Sequence, residues 1–287
     1  MIDLDYKNLS RYVSSYLGSL QAHSVDIDGQ ECKYLEGGEG ETIVFIHGVG
    51  GSKVLWRSFM QSYVGRYRVV AVDVPGLCVD VPFNNHKHSF RELSRWLILF
   101  LEKIQVSNVH LVAHCVGCCV ASNFASLYPQ KVASITLLNH LDVISEKAMS
   151  FDREMIDVID SIINKGGEAK WDEFMGGLFY SRLKFPVFLK KYRERYLLKH
   201  RDHLTTLFGD IARQFPLVMG YWRKVESPIL TISSTHDFFS SIDFYHSLIT
   251  NIPSGQHLLL ENCGHLSFLE KSEDVLAMHG EFLRLLK

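Results

Sequence analysis

The sequence predicts an α/β protein, a doubly wound and mostly parallel sheet that carries one all-helical cap insertion. Three observations lead there. Six short apolar runs of strand length alternate with segments of helical periodicity, the pattern of a sheet covered by helices on both faces. The alternation breaks once, between residues 141 and 222, where the chain reads as helical, aromatic and charged. A length of 287 residues with 47% hydrophobic content accommodates one large α/β domain with such an insertion.

Taken in order, Leu4, Leu9, Tyr12, Val13, Tyr16, Leu17 and Leu20 recur at helical spacing and predict a helix over residues 4–20. Asp28-Gly29 suits a hairpin turn, followed by an alternating strand from Glu31 to Leu35. Thr42 to Ile46 is a continuous apolar run ended by His47-Gly48, as a buried parallel strand would be. Tyr67 to Val72 is a second, ended by Asp73 and Pro75-Gly76. A helical pattern from Phe90 to Ile104 leads to the third run, Val109 to Ala113. Ala133 to Leu138, Pro228 to Ser233 and Gln256 to Leu260 are the remaining runs. Residues 1–140 and 223–287 are thus expected to form the core. Residues 141–222 are expected to cap the C-terminal edge of the sheet, where open α/β sheets place their sites.

Composition narrows the classes. Net charge is -2, so no global basic field suggests nucleic acid. No stretch of about 18 apolar residues is present, so no transmembrane segment is expected. The opening Met1-Ile2-Asp3-Leu4-Asp5-Tyr6 lacks the basic then apolar layout of a signal peptide. The cysteines at 32, 78, 115, 118, 119 and 263 follow no framework spacing, which favours reduced thiols and a cytoplasmic location.

The stretch Leu111-Val112-Ala113-His114-Cys115-Val116-Gly117-Cys118-Cys119 runs from an apolar strand through a tight turn into small residues suited to a closely packed helix. That is the layout of a nucleophile elbow, G-x-S-x-G, with Cys115 at the serine position and Ala113 at the first glycine. Acyl transfer by a thiol also needs a base, a group to orient it, and oxyanion donors. His265 follows the sixth run in Asn262-Cys263-Gly264-His265, and Asp237 follows the fifth. Asp142, after an earlier strand, is the other acid available. The backbone N–H groups of Val49 and Val116 are the expected oxyanion donors, with His47 and Gly48 supporting the turn that presents the first of them. His236 is expected to be a neighbour of Asp237 and nothing more.

In this order the chain resembles the lid-bearing α/β-hydrolases, which include monoacylglycerol lipases, esterases and carbon–carbon bond hydrolases. The residues that carry the resemblance are His47-Gly48 with Trp56 downstream, Asp73-Val74-Pro75-Gly76, the turn at Cys115, Tyr128-Pro129, Asp237 and Gly264-His265. They flank the insertion on both sides and say little about residues 141–222. Three departures stand out: Cys115 for serine, Cys78 for a second glycine after Pro-Gly, and Cys118-Cys119 for a small pair.

The resemblance implies a hydrolase of esters or thioesters, working here through an acyl-cysteine intermediate. A cysteine elbow raises a second reading: an acyltransferase or chain-releasing enzyme that passes the acyl group to a non-water nucleophile. A third is a small-molecule receptor on the same fold, against which an intact nucleophile, acid and base argue. No cofactor is expected. No metal is expected either: Cys115, Cys118 and Cys119 share a helix face but lack companions at zinc spacing. Trp171, Phe174, Met175, Phe179 and Trp222 suggest an apolar or aromatic acyl pocket. Between Tyr180 and His203, Arg182, Lys184, Lys190, Lys191, Arg193, Arg195, Lys199 and Arg201 face only Glu194 and Asp202, eight positive charges against two. Segment 182–201 reads either as a solvated face or as a dock for an acyl carrier protein or a coenzyme A thioester.

Overall fold

A computed structural model describes residues 19–78, 81, 89–164, 178–181 and 187–287. Its strands are β1 (Gln21–Ile27), β2 (Gln30–Gly37), β3 (Thr42–Ile46), β4 (Arg68–Val72), β5 (Val109–His114), β6 (Val132–Leu138), β7 (Ile229–Ser234) and β8 (Gln256–Leu260). They form one sheet in the order β1-β2-β4-β3-β5-β6-β7-β8. β2 is antiparallel to both β1 and β4, and every other pairing is parallel. The helices are α1 (Arg57–Gln61), α2 (Phe90–Lys103), α3 (Val116–Leu127), α4 (Glu146–Asn164), α5 (Val187–Ala212), α6 (Phe215–Trp222), α7 (Ile242–Asn251), α8 (Ser267–Glu270) and α9 (Ser272–Leu285).

Every apolar run that the sequence offers as a strand is one, within a residue or two at its ends. The strand before the Asp28-Gly29 turn is the addition. β1 is largely polar and exposed, and only its last residue, Ile27, is buried. It is held by its ladder to β2 rather than by side-chain burial, so the sequence carries no apolar signal for it. Ile27 pairs with Gln30, and the two loop residues both have positive φ (52° at Asp28, 80° at Gly29). That is the turn whose twist matches a right-handed hairpin. Most of the helix expected over residues 4–20 lies outside the described residues, and Ser19 and Leu20 at its end are not helical.

Alternation along the central strands divides the core in two. Val44 and Ile46 of β3 and Val70 and Val72 of β4 enter one cluster, which α2, α3 and α7 cover. Ile43, Phe45, Val69 and Ala71 point the other way, onto Trp56, Phe59, Phe268 and Phe282. Burial on both faces explains why these strands read as continuous apolar runs.

Helices α4, α5 and α6 lie between β6 and β7, where the sequence breaks its alternation. They do not stand apart from the core. Phe151 of α4 packs on Phe208 of α5 and Phe215 of α6, with ring centroids 5.6 and 5.5 Å apart. Arg201 of α5 grips Asp160 of α4 through two hydrogen bonds of 2.7 and 2.9 Å. Phe151, Met155, Leu207, Phe215 and Val218 all join the first core cluster. Trp171, Phe174, Met175, Arg182 and Lys184 lie outside the described residues.

Helix α3 approaches the sheet closely because Gly117 lets it. A Cβ there would sit 2.7 Å from the carbonyl oxygen of His47 and 2.8 Å from that of Ile46. Both obstacles are backbone, so the helix itself must move. Gly117→Ala is expected to lower the stability measured by urea unfolding by about 1–3 kcal/mol, the usual cost of overpacking.

Candidate active site

Cys115 is the single residue between β5 and α3 and has φ 56° and ψ −126°. A cysteine avoids this region, and holding one there costs about 1–3 kcal/mol that the surroundings must supply. They do so through the backbone. The Cys115 N–H donates to the Leu138 carbonyl at the end of β6 (3.1 Å), and the Cys118 N–H donates to the Cys115 carbonyl (3.0 Å). Gly48 leaves room alongside, since a Cβ there would lie 2.7 Å from the Cys115 Cβ and 3.2 Å from its Sγ. The turn places Cys115 at the N-terminus of α3. It is partly exposed, while Cys118 and Cys119 are fully buried. The Cys118 thiol donates to the carbonyls of Ala113 (3.3 Å) and Leu138 (3.5 Å), and the Cys119 sulfur lies 3.9 Å from His140 Nε2. Among the described residues no group of three or more histidines, cysteines or acids is placed to hold a metal ion.

His265 and Asp237 meet beside this thiol. The His265 Nδ1–H donates to Asp237, 2.8 Å from Oδ1 and 3.0 Å from Oδ2. The carboxylate is itself fixed by the Phe239 N–H on Oδ1 (2.8 Å) and the Asn139 Nδ2 amide on Oδ2 (2.9 Å). Burial disfavours a charge on His265, but the Asp237 carboxylate and then the Cys115 thiol outweigh it and raise its pKa to about 10. The Phe239 ring packs against the imidazole at a steep angle, with ring centroids 4.7 Å apart.

Asp142, the other acid the sequence offers, is committed elsewhere. Its Oδ1 accepts from the N–H groups of Ile144 and Ser145, and its Oδ2 accepts from Ser241 Oγ. It ties the start of the insertion to the loop before α7. His236 is beside Thr235 Oγ1 (2.9 Å) and packs on Tyr180, with no bond to the His265 pair.

His47 closes the opposite wall. Its Nδ1–H donates to the Gly48 carbonyl (2.8 Å) and its Nε2 accepts from the Val74 N–H (3.0 Å), joining the ends of β3 and β4. Burial lowers its pKa, consistent with a neutral ring in this arrangement. The same loop is pinned by Lys53, whose ammonium and backbone N–H both bind Asp73. Neither the Val49 nor the Val116 N–H has a hydrogen-bond partner among the described residues.

Several residues here carry no label in the sequence. Asn139 (φ 47°) bridges Asp237 and Ser234, and an asparagine directly after a strand is the one local cue that it takes a left-handed turn. His114 donates from Nε2 to the His265 carbonyl (2.9 Å) and packs against its ring at 4.5 Å. Burial and the neighbouring His265 hold its pKa well below the ordinary value. Trp222 is buried, with its ring against His140 and Phe244.

The model of the alpha/beta hydrolase fold family matches residues 41–272, which include every element of this constellation. The chain belongs to that family. Among curated relatives, it is similar to a 2-hydroxy-6-oxononadienedioate/2-hydroxy-6-oxononatrienedioate hydrolase of Cupriavidus pinatubonensis, at 25% identity over 86% of this chain and 88% of that one. It is also similar to an (E)-2-((N-methylformamido)methylene)succinate hydrolase of Acinetobacter baylyi, at 21% identity over 84% and 90%. In solved structures, the fold is shared with a bacterial membrane phospholipase A (TM-score 0.82, 22% identity, 98% of this chain and 92% of that one). It is shared too with the Cif epoxide hydrolase of Acinetobacter nosocomialis (TM-score 0.74, 19% identity, 97% and 95%). No described helix is long and apolar enough to cross a membrane.

A histidine whose pKa rises on folding stabilises the fold fully below its unfolded value near 6.5, and this is lost as pH rises toward about 10. Asp237→Asn removes the principal stabiliser of that charge. Urea unfolding over this range should show wild-type stability falling with pH more steeply than the variant's. Parallel curves would show that Asp237 does not govern His265.

Proposed function

We propose that this member of the family is an acyl-ester or acyl-thioester hydrolase working through a covalent acyl-Cys115 intermediate. The observation that carries the reading is Cys115 on a strained strand-to-helix turn beside the buried His265–Asp237 pair. His265 takes the thiol proton, and the Cys115 thiolate attacks the acyl carbonyl carbon. Charge developing on the carbonyl oxygen is met by the Val49 and Val116 N–H groups, whose loss typically costs about 2.7–4 kcal/mol per donor in such sites. The bond to the leaving group breaks, and His265 returns its proton to the departing alkoxide or thiolate. His265 then deprotonates water, hydroxide attacks the thioester carbonyl, and the C–S bond breaks to release the acid and restore Cys115. Asp237 holds the imidazole orientation throughout and balances its charge.

The acyl part is assigned to an apolar or aromatic group. Cys115, Val49 and Phe239 are apolar, partly buried and packed against the first core cluster, and the Phe239 ring also lies against His265. The relatives named above act, by their names, on other acids, so substrate choice is argued from these residues. Within the basic segment, Arg201 is engaged by Asp160, which reduces the charge that segment offers a carrier protein or coenzyme A.

Intact-protein mass spectrometry with short-chain acyl thioesters and p-nitrophenyl esters tests the reading. An adduct on Cys115 that decays in plain buffer is expected, and Cys115→Ala should lower turnover by a factor on the order of 10³ or more. An adduct that leaves only when an amine, alcohol or thiol acceptor is added would replace hydrolysis with acyl transfer. Ligand binding without adduct or turnover would leave a receptor.

A further inference from the structure

One carboxylate joins the helical insertion to the loop that carries His265. Glu270, at the end of α8, accepts four hydrogen bonds. Its Oε2 takes the N–H of Gly264 (2.7 Å), the residue immediately before His265, and the N–H of Tyr180 (3.0 Å). Its Oε1 takes both the N–H (2.6 Å) and the hydroxyl (2.7 Å) of Ser181. Tyr180 and Ser181 belong to the stretch between α4 and α5, about ninety residues away in sequence.

The same two segments touch at backbone level. The Leu266 N–H donates to the Leu178 carbonyl (3.0 Å). A Cβ on Gly264 would meet that carbonyl oxygen at 2.7 Å and the Phe179 Cα at 2.8 Å. Residues 264–266 are therefore bracketed by the insertion on one side, while the His265 carbonyl is held by His114 on the other. Partial burial disfavours the charged Glu270, yet the bonds from Ser181, Gly264 and Tyr180 hold its carboxyl below the usual range. Its strongest contacts are charge-assisted and reach both segments at once.

We propose that Glu270 is a positioning residue, a latch through which the seating of residues 178–181 sets the alignment of His265 with Cys115. The inference rests on the Cys115–His265 reading above. Release of the insertion from Glu270 frees Gly264, lets the histidine loop shift, and weakens the pair. With residues 178–181 seated on Glu270, the histidine loop is held in its reactive alignment.

Ser181→Pro tests this without touching the histidine loop, since Ser181 is exposed and the change deletes both donors it gives Glu270. Ser181→Thr keeps both donors and serves as the conservative rescue. Hydrogen exchange of peptides covering 178–181 and 262–268 reads the coupling. The pH profile of iodoacetamide alkylation at Cys115 reads the pair without any acyl substrate, and so stands apart from the hydrolase test. In Ser181→Pro, exchange should quicken in both segments and alkylation near neutral pH should slow about tenfold, modest against the ~10²-fold that a 1 Å misplacement costs aligned groups. Ser181→Thr should match wild type, and Glu270→Ala should reproduce the Ser181→Pro changes. Faster exchange confined to 178–181, or spread to both segments with an unchanged alkylation profile, overturns the latch. Failure to form an acyl adduct, with the coupling intact, would overturn only the hydrolase reading.

Discussion

A cysteine held at φ 56° between a buried strand and a buried helix is the constraint on which the rest of the site depends. The conformation is unfavourable in isolation and persists because the sheet over-determines it. β6 supplies the acceptor for the Cys115 N–H, β3 contributes the Gly48 space beside it, and Gly117 brings α3 down onto the strand ends. None of these is an interaction of the sulfur itself. The turn would present a serine or a cysteine equally well, so the scaffold sets position and the side-chain chemistry is superimposed on it.

Around that point the electrostatics divide by role. His265 is beside groups that favour its charged form, the Asp237 carboxylate on Nδ1 and then Cys115. Among the described residues no carboxylate is hydrogen-bonded to His47 or His114, burial drives both the other way, and both serve as neutral hydrogen-bonding struts. Three histidines within one small site thus carry different protonation preferences, and Asp237 is the largest cause of the difference.

Much of this was legible in the sequence, for a physical reason. Strands buried on both faces must be continuous apolar runs, and β3 through β7 announce themselves that way. β1 did not, because an edge strand held by its ladder needs no apolar side chains. Cys115, Asp237 and His265 were legible because each sits at a strand end with a recognisable turn. Asn139, His114 and Glu270 were not. Their partners are a side-chain oxygen for Asn139 and backbone groups for His114 and Glu270, up to 151 positions away, and nothing in a local pattern records which group will arrive. An aromatic residue in the insertion, such as Trp222, likewise signals burial without saying against what.

The end of β6 has a consequence for how the protein comes into being. The Leu138 carbonyl receives both the Cys115 N–H and the Cys118 thiol, and the next residue, Asn139, holds Asp237. Two adjacent residues thus secure the turn at Cys115 and the carboxylate that charges His265. These contacts require β6 to lie in register between β5 and β7. A chain in which β6 is not docked therefore holds neither the turn at Cys115 nor the Asp237 carboxylate in place, and the site exists only in the assembled sheet.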